Sequence, residues 1–254
     1  SALDFAQWKT QFGKEYKSEG AEASALATFA ANDVIIAEHN AKGLSYWLGH
    51  NEFSDLTADD FTSKYVGGFV PRADVAKQFD YGLLDATVTA GDIDWVAKGA
   101  VTPVKDQAQC GSCWAFSTVA GMEGQLFVAE GKLLSMSEQD LVSCEKKGDQ
   151  VCIGGLMDNV STWIQTNGLC TEAGCPYTSG TGSSGTGKKT CKAAATCTGH
   201  KDVPKGDEAA LYAALQKAPV SIAVDAGKFQ LYKSTPQPAA ASSSTTVSPS
   251  SAPR

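Results

Sequence analysis

The sequence predicts an α+β fold in which a cysteine-free helical segment precedes a compact mixed domain. Three observations lead there. Apolar residues recur every three or four positions through the first 65 residues, the period of amphipathic helices. All eight cysteines fall between positions 110 and 197. Within that cysteine-rich part, helical patterns alternate with turn residues and one short apolar run, Val220 to Val224, that reads as a strand.

Taken in order, Phe5, Trp8, Phe12 and Tyr16 mark a first helical stripe. The alanine-rich stretch 21–40, with Leu26, Phe29 and Ile36, marks a second and longer helix, and together they define a helical domain over 1–66. Across 67–91 the period fades, because Gly67, Gly68, Pro71 and Gly82 interrupt any stripe, so this part reads as a linker. The compact domain spans 92–234. Helices are expected at 112–130, at 137–144 with Ser137 as the cap, at 156–166 and at 208–217. Residues 178–187 are a Gly/Ser/Thr loop, and 235–254 form a low-complexity Ser/Thr/Pro/Ala tail expected to be disordered.

Composition narrows the function. With 21 basic against 28 acidic residues the net charge is −7, and the only arginines are Arg72 and Arg254, so the clustered cationic face of a nucleic-acid binder is not expected. No apolar run approaches the roughly 18 residues of a bilayer span, and membrane insertion is not expected. Eight cysteines point to an oxidising compartment, lysosomal/endosomal or extracellular, reached by the secretory pathway. The sequon Asn159-Val160-Ser161 agrees weakly with that.

The chemistry concentrates in QAQCGSCWAF, residues 107–116. A thioredoxin-type pair would sit beside a strand–helix–strand pattern, which the preceding residues do not offer. A zinc knuckle would need a second close pair, and neither Cys170 with Cys175 nor Cys191 with Cys197 has that spacing. A purely structural use of both cysteines is the bland alternative. The sharper reading makes Cys113 a nucleophile at a helix start, where unpaired NH groups and the helix dipole favour thiolate. Gln107 would then aim an amide NH at an oxyanion beside the sulfur. Neither a metal nor a cofactor is expected.

QAQCGSCWAFS resembles the active-site segment of the papain-like cysteine proteases. Other stretches agree: DWVAKGAVTPVKDQ with the start of the mature enzyme, LSMSEQDLVSC with the next helix, CIGGLMD with the substrate-holding segment, and APVSIAVDAGKFQLYKS with a later strand. Upstream, Phe29, Asn32, Ile36 and Asn40 match the family's inhibitory propeptide, with Ala21 and Ala25 replacing its leading glutamate and arginine. Gly49, Asn51, Phe53 and Asp55 match the second propeptide motif.

The resemblance, cathepsin L-like in character, implies a papain-like two-lobe fold preceded by a helical propeptide domain, with 67–91 containing the activation region. It implies Cys113 as nucleophile and Gln107 as oxyanion donor. Gly154 and Gly155 would bind the backbone of an extended peptide; Leu156, Met157 and Ala223 would wall an apolar pocket. The partners implied are peptide or protein substrates and the protein's own propeptide as intramolecular inhibitor. By the same resemblance Cys110 would bridge to Cys152 and Cys144 to Cys191. Cys170, Cys175 and Cys197 would remain, with one pair among them left open.

Amide cleavage also needs an acid for the leaving amine, normally a histidine held by an asparagine. The family places them about 130 to 150 residues past the cysteine. Here that region reads SSTTVSPSSAPR, without either residue, and the histidines of the sequence are His39, His50 and His200. His39 and His50 lie in the propeptide-like part, and His200 is expected to face solvent. The β-barrel lobe is therefore expected to be incomplete, and the protein to be truncated at its C-terminal end and inactive. A different class of function also stays open: a binding module in which the propeptide-like segment inhibits related proteases.

Overall fold

Asp4 starts the first helix by accepting the Gln7 amide at 2.8 Å, while the Gln7 side chain accepts the Asp4 amide, a reciprocal cap that satisfies two exposed donors. The computed structural model describes residues 3–66, 91–144, 151–183 and 191–234. The chain divides into two compact units. The linker at 67–90, the end of the 178–187 loop from 184 on, and the tail from 235 lie outside the described residues.

The first unit holds 3–66 together with 224–234. Helix α1 (Phe5–Gln11) is shorter than its apolar stripe, because Gly13 takes a left-handed φ of 58° and turns the chain. Tyr16 nevertheless stacks on Phe5, so the stripe is used without a continuous helix. Helix α2 (Glu19–Asn40) begins at Ser18, whose hydroxyl caps the Ala21 amide. A Lys9–Glu22 ion pair ties the two helices. Trp8, Phe29, Ile36, Phe53 and Phe61 form the core.

Each polar member of the propeptide motifs has a mechanical task. The Asn32 amide donates to the carbonyls of Ser54 and Leu56 at 2.9 and 3.0 Å. Asn40 exchanges two bonds with the Leu48 backbone, and Asp55 accepts from Lys14 Nζ and the Tyr16 hydroxyl. Strand β1 (Trp47–Leu48) pairs antiparallel with β4 (Tyr232–Ser234). Buried Gln230 donates to the carbonyls of Phe53 and Leu56, and Asn51 Nδ2 donates to Gln230 O at 2.6 Å. These bonds join 224–234 to the N-terminal unit, although the sequence pattern groups them with 92–234. Between the two strands in sequence, α3 (Ala58–Phe61) runs into a wide turn at Thr62–Val66.

The second unit is built on α4 (Cys113–Glu130), α5 (Glu138–Cys144), α6 (Met157–Asn167) and α7 (Glu208–Lys217). A two-stranded ladder pairs β2 (Leu169–Cys170) with β3 (Ala193–Ala195). Trp114, Val119, Met136, Leu141, Val160 and Ile164 form its apolar core. A polar cluster sits beside it: Lys105 Nζ donates to Glu123, Glu138 and the Met136 carbonyl, and Glu123 also accepts from Thr102 and the Met136 amide. Ser137 caps α5 by accepting the Asp140 amide at 3.0 Å, as its position in the sequence leads one to expect.

Two expectations are corrected. Residues 220–224 form no strand: among the described residues they have no strand beside them, and 219–222 instead lie along α4, with Ser221 Oγ donating to Ser117 O at 2.7 Å. Cys191 bonds to Cys170 and not to Cys144. The reason is register. Pairing Cys170 with Ala193 carries Cys191 alongside Cys170, with the two Cα atoms 6.1 Å apart, inside the span of a disulfide.

Candidate active site

Cys113 is the first residue of α4, and Ser112, its cap position, accepts the Ala115 and Phe116 amides through its backbone carbonyl. The amides of Cys113 and Trp114 point at the sulfur and lower the thiol's pKa. Burial acts in the opposite sense and is the larger effect, so the Cys113 thiol stands above its ordinary value. This reverses the expectation of an acidic sulfur: helix-terminus donors alone do not offset removal from water.

The loop before Cys113 is held at several points. Gln107 is buried, and its Nε2 donates to Cys110 O at 3.0 Å. The Tyr177 hydroxyl donates to Gln107 O at 2.9 Å and lies 2.9 Å from Ser112 Oγ. One phenol thus fixes both the donor residue and the helix start. Sequence reasoning missed Tyr177, which lies 70 positions from Gln107. Its only signal was an aromatic residue directly after Cys175-Pro176.

The 152–157 segment, expected from the resemblance to hold substrate, is anchored to the same loop. Cys110 and Cys152 form a disulfide with Cα atoms 4.5 Å apart. Gly111 N donates to Cys152 O at 2.8 Å, and Trp114 Nε1 donates to Val151 O at 3.0 Å. Gly154 has φ 139°, a conformation that L side chains rarely adopt, and is buried; Gly155 is half-buried beside it. Leu156 is the cap position of α6 and Met157 its first residue, both half-buried.

Ala223 is placed differently. It is exposed and directly follows the 219–222 segment that Ser117 and Ser221 tie to α4, one helical turn beyond Cys113. Cys113, Gln107, Gly154, Gly155, Leu156 and Met157 are therefore gathered by one bridge and its neighbouring bonds. Ala223 reaches the same helix by a separate route.

The histidines are engaged elsewhere. His39 packs on Tyr46, and His50 stacks on Phe29 at 3.9 Å, both in the first unit. His200 does not face solvent freely: its Nδ1 lies 2.5 Å from Ser161 Oγ on α6. Ser161, the third residue of the sequon, is itself buried.

Comparison with known proteins identifies the family. Residues 89–246 match the papain family cysteine protease model, and residues 5–61 match the cathepsin propeptide inhibitor domain. The senescence-specific cysteine protease SAG39 of Oryza sativa subsp. indica is 43% identical over 233 residues, covering 89% of this chain and 68% of that protein. The cysteine protease XCP2 of Arabidopsis thaliana is 39% identical over 234 residues, covering 90% and 65%. The chain thus spans about two thirds of the length of these relatives. Among solved structures, a recombinant stem bromelain precursor superposes with a TM-score of 0.79 at 33% identity, covering 91% of this chain and 74% of that one. The proform of the ragweed pollen cysteine protease Amb a 11 gives 0.76 at 30% identity, covering 91% and 72%. No helix among the described residues is long and apolar enough to cross a membrane. The chain belongs to the papain family of cysteine proteases and carries, ahead of its α+β peptidase domain, a cathepsin propeptide inhibitor domain.

Proposed function

We propose that the protein is the precursor of a papain-like endopeptidase in which Cys113 is the nucleophile. The observation that carries this is the placement of Cys113 on the first turn of α4, with the Cys110–Cys152 bridge holding the 152–157 segment beside its loop. As thiolate, the Cys113 sulfur would add to a peptide carbonyl carbon, the C=O electron pair moving onto oxygen; breaking the C–N bond then needs an acid to protonate the leaving amine. The Gln107 side-chain amide and the first-turn amides would stabilise the oxyanion. Gly154 and Gly155 would bond the peptide backbone, and Leu156, Met157 and Ala223 would take an apolar side chain. Residues 1–66 would act as the intramolecular inhibitor, 67–91 as the activation region, and 92–234 as the peptidase part preceding the 235–254 tail. The disulfides support a secretory route to a lysosomal, endosomal or extracellular site.

The 254 residues by themselves would not turn over peptides. Burial keeps the Cys113 sulfur protonated near neutral pH, and His200 is committed to Ser161. The test is hydrolysis of a fluorogenic peptide by the 254-residue protein at pH 5 to 7. No turnover is expected; activity abolished by Cys113→Ser would overturn this part while supporting the nucleophile.

A second reading, inhibition of related proteases in trans, draws on the complete polar ties of Asn32, Asn40, Asn51 and Asp55. Titrating the 254-residue protein against an active papain-family protease decides it. Absence of inhibition at micromolar concentration ends the idea.

A further inference from the structure

The geometry points to a divalent-cation site of the zinc class formed by Asp158, His200 and Asp202. One carboxylate oxygen from each aspartate and a ring nitrogen of His200 lie within 4.8 Å of one another. Asp158 is in the first turn of α6, whereas His200 and Asp202 come from the segment between β3 and α7. Three protein ligands from two elements, with water completing the shell, is an arrangement zinc accepts.

The orientation of the imidazole supplies an observation independent of the carboxylates. Ser161 Oγ lies 2.8 Å from Asp158 O and donates its hydrogen there. With that hydrogen used, the short contact to His200 Nδ1 requires Nδ1–H to donate to Ser161 Oγ. Nε2 is then the ring nitrogen directed at Asp158 Oδ1, at 4.0 Å. A cation among Nε2 and the two carboxylates would take all three as ligands. Metal-binding histidines typically donate their other ring NH to a fixed acceptor, and buried Ser161 fills that place.

Electrostatics favours the same occupant. Asp158 and Asp202, both half-buried, bring two carboxylates together, so the pair gains from a nearby positive charge. Borderline ligands, one imidazole and two carboxylates, suit zinc better than calcium or magnesium, which prefer all-oxygen shells. The Cys197 thiol lies close by, with its sulfur 3.5 Å from Ser161 O, but burial raises its pKa and disfavours the thiolate. A bound cation would clamp the 197–202 segment to the first turn of α6. This site is separate from the Cys113 chemistry and does not depend on it.

Co2+ added to the chelator-stripped 254-residue protein is the direct probe. The proposal expects weak visible absorption of a nitrogen–oxygen site and a rise in Tm with Co2+ or Zn2+. Both should vanish in His200→Ala and in Asp202→Asn, and Ser161→Ala should weaken binding about 10- to 100-fold. Asp202→Asn, which alters a loop side chain, keeps the test sound if His200→Ala fails to fold, and circular dichroism checks each variant. Lack of spectral change and of Tm shift at millimolar metal would overturn the site. So would an intense near-ultraviolet thiolate band that persists in Asp202→Asn.

Discussion

At the scale of single residues, Tyr177 organises the thiol loop, because its hydroxyl meets both Gln107 O and Ser112 Oγ. Tyr177→Phe keeps the ring packed edge-on against Phe116 and removes only the hydroxyl. We expect a loss of about 1–3 kcal/mol, read by urea denaturation, since a buried carbonyl and a buried hydroxyl lose a partner. Gln107 and Cys113 were legible from the sequence because their spacing is local. Tyr177 was not, since its partners lie far away in the sequence and come together only on folding.

Glu138 carries a pH prediction. Burial lifts its carboxyl to about 7, with Lys105 pulling the other way. Burial would lower Lys105, but Glu138 and Glu123 together raise it. The shifts oppose one another across one ion pair, and we take Glu138 as the group that titrates, because its side chain is the more deeply buried. Its carboxyl is raised above the unfolded value of 4.5, so its contribution to stability is fully present below that value and lost as pH rises through about 7. Thermal unfolding should give a higher Tm at pH 5 than at pH 8, with a smaller difference in Glu138→Gln.

At the scale of elements, helix α4 receives the 219–222 segment across two glycines. A Cβ at Gly124 would lie 2.6 Å from Pro219 Cγ, and one at Gly121 would collide with Ser221 Oγ. The proline ring cannot rotate away, whereas the serine hydroxyl can. Gly124→Ala should therefore cost about 1–3 kcal/mol through overpacking and Gly121→Ala less, as measured by chemical denaturation. The helices were readable because their apolar periods and caps are local: Ser137 suffices to place the start of α5. The stretch 220–224 was misread because its apolar residues suit a strand equally well as a segment laid on a helix, and only the neighbours decide.

For the molecule as a whole, the grouping of distant segments was the least legible feature. Nothing local to residues 230–234 tells that Gln230 will bond Phe53 O and Leu56 O, or that Tyr232 will pair opposite Leu48. The Cys170–Cys191 bridge is similar, since cysteine spacing leaves several pairings open until the β2–β3 register closes one of them. The propeptide motifs, in contrast, were visible as a spaced pattern, and each polar member proves to tie a particular carbonyl or cation. The Cys110–Cys152 bridge, which ties the 152–157 segment to the Cys113 loop, was likewise expected from the motifs. The thiol's protonation was not, because it depends on how much water the fold removes from the sulfur.

That protonation can be measured directly. The rate of iodoacetamide alkylation of Cys113 in the 254-residue protein, followed by mass spectrometry of the peptide containing it, should stay low at pH 6 to 7. It should still be rising beyond pH 9, because burial holds the thiol above its ordinary 9.0. Rapid alkylation that has already reached its plateau by pH 6 would contradict a buried, protonated thiol, because it would require a thiolate stabilised by a positive charge at the sulfur.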